Sequence, residues 1–169
     1  MTPRLKSTPS SQRFQLVICK HAKSMTTPHL SLNTTTRKAY GENDELQVAI
    51  AVAGAALSGG VVAFDDHRKL MAICHSLVGF PKHAGDEASF EYGIFDRVRA
   101  RFSTDAKGHI SATVLLEKYE GHPTDSYAES LSVRFWCDPS SIDDLCASIG
   151  GFVPGEPDEA KLVGRPPNF

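Results

Sequence analysis

The sequence predicts an α+β protein whose antiparallel sheet is built from two related units, each a strand meander followed by a helix. Alternating apolar and polar residues predict the strands, because successive side chains of a strand point to opposite faces. Apolar residues at the spacing of one helix face predict two helices. The phrase CHSLVGF at 74–80 returns as CASIGGF at 146–152, which predicts that the units are related. We expect both helices to pack on one face of the sheet and to leave the other face open.

The first unit is predicted to contain two clear strands and one helix. LQVAIAVAG at 46–54 alternates apolar residues with glutamine and alanine, and GGVVAFD at 59–65 follows a Gly/Ser turn as a second strand. A helix is predicted over Asp66–Val78, with Asp66 as its N-cap and Gly79 as its stop. Its apolar face is formed by Leu70, Ile73, Cys74 and Leu77.

The second unit has the same order with longer strands. Alternation predicts strands over 95–102, 110–119 and 129–136. Asp138 followed by Pro139 predicts a helix start, because an acidic N-cap and a proline at the first helical position are both favoured there. The apolar face of this helix is formed by Ile142, Leu145, Cys146 and Ile149.

A shift of 72 positions aligns the two units, which run over about 28–80 and 90–152. The shift places 64–80 on 136–152 with five identities in 17 positions, where chance would supply about one. The identical pairs are Asp66/Asp138, Cys74/Cys146, Ser76/Ser148, Gly79/Gly151 and Phe80/Phe152. Two explanations are open at this point, namely duplication of one ancestral unit and convergence on the same packing solution.

Both ends of the chain are predicted to lie outside a single domain at 28–152. The apolar run FQLVIC at 14–19 is too short for a signal-peptide core or a membrane span, so residues 1–24 are expected to be an extension outside the core. The alternative is that this run forms an edge strand. Residues 153–169 are rich in proline, glycine and charge and are expected to form an irregular tail.

The net charge and the spacing of the cysteines limit the classes of protein to which the chain can belong. The net charge of −2 and the pI near 6.4 argue against a general nucleic-acid binder, which carries a basic excess. The four cysteines form no CxxC pair and no zinc spacing with histidine, so neither a metal nor another cofactor is expected. Because no secretory signal is evident, we expect reduced thiols in a cytoplasmic protein.

No catalytic motif is visible in the sequence. The seven histidines include no HExxH pair, and no serine lies in a nucleophile elbow. The enzyme hypothesis that remains is a small-ligand-binding protein or enzyme with a cleft near His109, His122 and Glu117. A pocket that joins these groups and shifts their pKa values would favour this hypothesis.

A partner-binding surface is predicted on the polar face of the second unit. Arg97, Arg99 and Arg101 alternate along one strand, so their side chains share one face of the sheet. Arg134 and Trp136 alternate along a neighbouring strand, and both residue types are enriched at binding hot spots. The other interpretation is a solvated face whose arginines pair with glutamates across strands.

Three short phrases resemble a family of small, largely uncharacterised bacterial α+β proteins. Phe80–Pro81 follows the first predicted helix, Gly108–His109–Ile110 enters a strand, and Asp138–Pro139 starts the closing helix. The resemblance covers roughly 28–152, and some of these relatives are similar to immunity proteins of bacterial toxin systems. The resemblance implies an α+β fold, and no catalytic residue can be assigned from it.

Together these observations predict a non-enzymatic protein-binding domain. Its specific form would be an immunity protein that neutralises a toxin by direct contact. The expected partner is therefore a protein, and neither a membrane nor a nucleic acid is expected to be one.

Overall fold

The computed structural model describes residues 17–18, 27–34, 45–119, 127–153 and 156–166. These residues form nine strands and two helices. The strands are β1 (Val17–Ile18), β2 (His29–Thr34), β3 (Glu45–Ala53), β4 (Leu57–Asp66), β5 (Glu87–Tyr92), β6 (Arg97–Thr104), β7 (Ile110–Tyr119), β8 (Tyr127–Cys137) and β9 (Glu159–Arg165). The helices are α1 (His67–Leu77) and α2 (Pro139–Gly150). Neither of these two described helices is long and apolar enough to span a membrane.

The nine strands form one sheet in the order β1-β4-β3-β2-β9-β8-β7-β6-β5. All neighbouring strands are antiparallel. The predicted α+β class and antiparallel sheet are therefore confirmed. Consecutive strands within β2–β4 and within β5–β8 are neighbours, as expected where strands are joined by short connections.

The sheet curls until β4 and β5, which lie far apart in the strand order, meet. The Ile94 amide donates to the Phe64 carbonyl oxygen at 3.0 Å. This hydrogen bond places the chain just after β5 alongside β4. The Tyr92 hydroxyl donates to the carbonyl oxygens of Leu46 at 2.8 Å and Asp65 at 3.2 Å. The inner faces of both halves of the sheet therefore enclose a common core.

The core lies inside this curl and against the helices. On β6, Val98, Ala100 and Phe102 are buried, while the residues between them face outward. The predicted apolar faces of both helices are buried in the same core. Helix α1 packs against α2, β4 and β5, and α2 packs against β9. Burial of this apolar surface is the main favourable contribution to folding.

The two helices begin at the predicted positions. The Asp66 carboxylate accepts a hydrogen bond from the Arg68 amide at 2.7 Å and so caps α1. Gly79 follows this helix with a φ of 72°, a left-handed conformation that glycine adopts without strain. Asp138 precedes α2 but caps no backbone amide there, and its carboxylate pairs with Arg165 instead.

The prediction of an irregular tail over 153–169 is wrong. Glu159–Arg165 forms β9, which lies between β2 and β8 and alternates exposed with buried residues. Ala160 and Leu162 are almost completely buried. The prolines and glycines on both sides dominate the composition of the segment, although EAKLVGR itself has the period of a strand. The domain therefore extends beyond the predicted boundary at 152.

At the other end of the chain, the structure describes two residues of the apolar run at 14–19. They form β1, which pairs with Ser58 and Leu57 at the outer edge of β4. The other residues of 1–24 lie outside the described part of the chain, so the predicted extension stays a prediction.

The two halves of the sheet have the same order of elements. β2, β3 and β4 are followed by α1 and β5, and β6, β7 and β8 are followed by α2 and β9. The last strand of each half pairs with the first strand of the other half, β5 with β6 and β9 with β2. The Thr104 amide donates to the Asp86 carbonyl oxygen at 3.0 Å, and the Thr34 amide donates to that of Asp158 at 2.9 Å. Asp86 and Asp158 are 72 positions apart, the same shift that aligns the helices.

Candidate functional site

The three arginines of β6 lie on the outer face of the sheet. Arg97, Arg99 and Arg101 alternate with buried residues that point into the core. β7 and β8 extend the same face, and their register places Thr113 and then Arg134 beside Arg101. The predicted surface residues of both strands therefore belong to one continuous outer face.

Carboxylates from neighbouring strands neutralise the arginine row. Arg97 donates from Nε to Glu117 at 2.8 Å, and Arg99 donates from Nε to Glu91 at 2.8 Å. Arg101 contacts both carboxylate oxygens of Glu87, at 2.9 and 2.8 Å. Solvent screens the exposed pairs of Arg99 and Arg101, and each contributes about 1 kcal/mol or less to stability, whereas the Arg97–Glu117 pair is largely covered.

Arg134 differs from the arginines of β6 because no acidic side chain among the described residues pairs with it. Its Nε donates to the Ser111 hydroxyl at 2.8 Å. Within the described part of the chain, no carboxylate lies within ion-pair distance of its guanidinium group. A guanidinium group carries five N–H donors. Arg134 is exposed, and within the described structure most of its donors are unused, so it presents a positively charged group that can donate further hydrogen bonds.

Trp136 lies next to Arg134 on the same face and lines an open cavity. The cavity has a volume of about 250 Å³ and is also lined by Asp105, His109 and Arg165. The indole and imidazole rings meet edge to face, with their centroids 6.1 Å apart. The indole is half-buried, so it offers an aromatic surface that a ligand or partner can still reach.

Two pairs of polar side chains flank the indole ring. On one side, the imidazole Nδ1 of His109 lies 2.9 Å from Asp105 Oδ2. The other oxygen of this carboxylate accepts from the amides of Lys107 at 2.8 Å and His109 at 2.9 Å. These hydrogen bonds, led by the one from the imidazole, lower the pKa of Asp105 below its ordinary value. On the other side, Arg165 forms an ion pair with Asp138.

The cavity contains no activated nucleophile among the described residues that line it. Cys137 is the one thiol in its wall, and that side chain is buried at 5% exposure. Burial raises the pKa of the Cys137 thiol to about 12, which disfavours the reactive thiolate. The geometry therefore suits binding between charged pairs and an aromatic ring more than covalent chemistry.

The structure does not bring together His109 and Glu117, the two described residues of the predicted cleft. His109 precedes the first residue of β7, whereas Glu117 lies near its far end and pairs with Arg97. His122 lies outside the described residues. His109 joins Asp105 and Trp136 instead, which gives the cavity a different set of polar groups.

The second interpretation of this face, in which the arginines pair with glutamates across strands, is seen in the structure. The sequence alone did not identify Glu87 and Glu91, which alternate on β5 and face the arginine row through the strand register. It also did not place Asp105 or Arg165 in the wall of the cavity. Asp105 accepts from the Lys107 amide two residues on, as an aspartate in a tight turn does. Arg165 lies in β9, within the segment whose composition predicts an irregular tail.

Within the described ranges, no group of three or more histidine, cysteine, aspartate or glutamate side chains is arranged to hold a metal ion. No family model, curated protein or solved structure matches the chain.

Proposed function

We propose that the protein is a non-enzymatic binding protein that recognises a partner protein through the arginine–tryptophan surface. This surface consists of Arg97, Arg99, Arg101, Arg134 and Trp136. The observation that supports the proposal best is the position of Arg134. Its guanidinium group has no carboxylate partner among the described residues, and it lies beside the half-buried indole of Trp136, which lines a cavity. Arginine and tryptophan side chains of this kind anchor interfaces, while their neighbours mainly exclude water.

The partner would be acidic where it contacts Arg134. A partner carboxylate could form a bidentate pair with the unused guanidinium donors, which is stronger than a neutral hydrogen bond. An aromatic or aliphatic side chain of the partner could enter the cavity beside Trp136. Association should slow at high salt, because complementary charges act mainly on the association rate.

The arginine row is proposed to orient the partner rather than to supply most of the affinity. Arg99 already pairs with Glu91 and lies 3.4 Å from Glu117. A partner carboxylate would have to compete with these acids, so truncation of Arg99 should cost less binding energy than truncation of Arg134. Trp136 and Arg134 thereby become the proposed centre of the surface.

A bacterial toxin is the partner class that we propose, with the protein acting as a cytoplasmic immunity protein. The resemblance carried by Phe80–Pro81, Gly108–His109–Ile110 and Asp138–Pro139 supports this role. An immunity protein needs only to cover a toxin surface tightly, which agrees with an outer sheet face that carries arginine and tryptophan side chains.

The test is a titration with the purified product of an adjacent toxin gene. Arg134→Ala and Trp136→Ala should each weaken binding by about 1–3 kcal/mol, as expected for interface anchors. Arg68→Ala, which removes an exposed cation from α1 and not from the outer sheet face, is the matched control and should leave affinity unchanged. Equal affinities for wild type, Arg134→Ala and Trp136→Ala would exclude this surface as the binding site.

The second candidate function is binding of a small ligand in the cavity beside Trp136. The observation in its favour is the His109–Asp105 pair, since the hydrogen bond at Nδ1 leaves Nε2 available to a ligand. A ligand that contacts the indole should quench or shift the fluorescence of Trp136, the single tryptophan in the chain. His109→Gln should reduce such binding without altering affinity for a protein partner centred on Arg134.

We also infer that the two halves are duplicated units whose helices cover one face of the sheet. The 72-residue shift that aligns the helices also aligns DEA at 86–88 with DEA at 158–160, at the start of β5 and β9. The matching threonine-to-aspartate backbone bonds support the same relation. An experimental structure in which the halves fail to superpose under this shift would refute the inference.

A further inference from the structure

A pair of cysteines joins the two helices at their interface. Cys74 lies on α1 and Cys146 on α2, and these helices pack against each other. Each side chain is 5% exposed, and both residues line one cavity between the helices. The cysteines are 72 positions apart in the sequence, so the fold alone makes them neighbours.

Both thiols line a cavity between the helices that is open to solvent. The cavity has a volume of about 500 Å³, and its wall includes Met71, Val78 and Ala147. Its size admits a small neutral oxidant, although the thiols themselves are nearly covered. The lining is largely apolar, so the cavity favours an uncharged reagent over a charged one.

We propose that Cys74 and Cys146 are a site of reversible oxidation, at which a peroxide converts the two thiols into a disulfide between α1 and α2. In the first step, the thiolate of one cysteine attacks a peroxide oxygen, the O–O bond breaks, and a sulfenic acid and water form after proton transfer. In the second step, the other thiol displaces the hydroxyl of the sulfenic acid as water. The two thiols together lose two electrons and two protons, and hydrogen peroxide is reduced to two water molecules.

The geometry favours this pair because both thiols line one cavity between two packed helices. A resolving thiol beside the attacking thiol traps a sulfenic acid before it is oxidised further. Interaction with Cys146 and burial raise the pKa of Cys74, while interaction with Cys74 lowers the pKa of Cys146. These directions favour Cys146 as the thiol that attacks the peroxide and Cys74 as the thiol that resolves the intermediate.

The crosslink would connect the two halves of the protein. Residues 75–145 lie between the cysteines, so the disulfide would close a long loop and restrict the unfolded chain. It would not involve the arginine–tryptophan surface, which lies on the outer face of β6 and β8. Oxidation and partner binding can therefore be tested separately, and failure of one does not imply failure of the other.

The experiment uses the full chain with Cys19→Ser and Cys137→Ser, which leaves Cys74 and Cys146 as its thiols. The folded protein is treated with hydrogen peroxide and then unfolded in denaturant for thiol counting and intact-mass measurement. Both free thiols should be lost, the mass should fall by two hydrogen atoms, and dithiothreitol should restore both values. Tryptic mapping without reductant should recover a crosslink between the two cysteine peptides, and the oxidised protein should melt at a higher temperature.

Adding Cys74→Ser to the same chain is the matched control. It removes the resolving thiol, so peroxide should leave Cys146 as a sulfenic acid that dimedone traps. If the serine variants do not fold, the wild-type chain can be mapped with a protease that cleaves before aspartate. Such cleavage separates Cys146 from Cys137, because Asp138 and Asp143 lie between them.

Three results would overturn the proposal. The first is oxidation of the unfolded chain by peroxide while both thiols of the folded chain stay free. The second is a gain of oxygen by each thiol, or a disulfide between two chains, without the intramolecular crosslink. The third is a stoichiometric soft metal ion held by the thiols of the purified protein, which would make the pair a metal site.

Discussion

Replacement of Gly164 by alanine should separate β9 from β8 and destabilise the protein. A Cβ atom at this position would lie 2.1 Å from Cδ2 and 2.8 Å from Cε2 of the Phe135 ring, and 2.9 Å from the Trp136 carbonyl oxygen. Favourable carbon contacts lie at about 3.5–4.0 Å, so the ring or the strand must move by more than an ångström. Phe135 is 1% exposed in a close-packed core and has no free space to enter.

Overpacking of a core usually costs about 1–3 kcal/mol, and we expect Gly164→Ala to reach about 3 kcal/mol because both ring and backbone oppose the methyl group. Gly150→Ala is the matched control. Apart from its chain neighbours and the backbone of its own helix, no heavy atom of the described residues lies within 4 Å of the Cβ position at Gly150, the last residue of α2. Alanine is favoured over glycine in helices by up to about 1 kcal/mol, so this variant should be neutral or slightly stabilised.

Urea unfolding followed by far-ultraviolet circular dichroism measures both effects. The midpoint should fall for Gly164→Ala and stay or rise for Gly150→Ala, with unchanged slopes. The fluorescence of Trp136, which is directly paired with Arg165 next to Gly164, gives a local second signal. If Gly164→Ala is as stable as wild type, β9 does not lie against Phe135, and the description of a sheet that curls through β9 is wrong.

Leu145→Ala should destabilise the protein by about 2–5 kcal/mol, because the leucine is fully buried on α2, and a change below about 0.5 kcal/mol in urea unfolding would show that the helical phase is wrong. Deletion of residues 1–24 should leave the melting temperature almost unchanged, because β1 contributes only a two-residue pairing at the edge of β4, and a large drop would make the N-terminal segment part of the core. Asp105→Asn should lower the melting temperature at neutral pH, because the pKa of Asp105 is depressed below 3.8 in the folded protein. A carboxyl group whose pKa is lowered by folding stabilises the protein above its pKa in the unfolded chain, and this stability is lost as pH falls through its pKa in the folded protein. The melting temperatures of the variant and wild type should therefore converge well below pH 3.8, and a difference that persists there would exclude this cause. A chelator should leave the melting curve unchanged, and stoichiometric zinc in purified protein would contradict the expectation that folding needs no metal.

The local features of the fold could be predicted because they depend on neighbouring residues. The helix faces around Cys74 and Cys146, the N-cap at Asp66 and the alternation of the β6 arginines follow from periods of 3.6 and 2. These periods arise from backbone geometry alone, so no tertiary contact is needed to recognise them. The placement of Trp136 and Arg134 on one outer face follows in the same way.

The functional properties of that face depended on contacts between distant segments. Strand register depends on many weak pairings along the chain. It places Glu91 opposite Arg99, and it places the Ser111 hydroxyl, rather than a carboxylate, beside Arg134. The same applies to the cavity at Trp136, whose wall includes Arg165 from a strand that composition alone concealed.

The amino-acid sequence by itself determined the two helices, the strands β3, β4, β6, β7 and β8, which of their faces are apolar, and that the phrase at Cys74 recurs at Cys146. Only the tertiary structure decided that the sheet curls until Ile94 meets Phe64, that β9 enters between β2 and β8, and that the two cysteines line one cavity. The physical reason is that amphipathic periodicity acts over a few residues. The curl and the pairing of the helices arise only when apolar faces from both halves are buried together in one core.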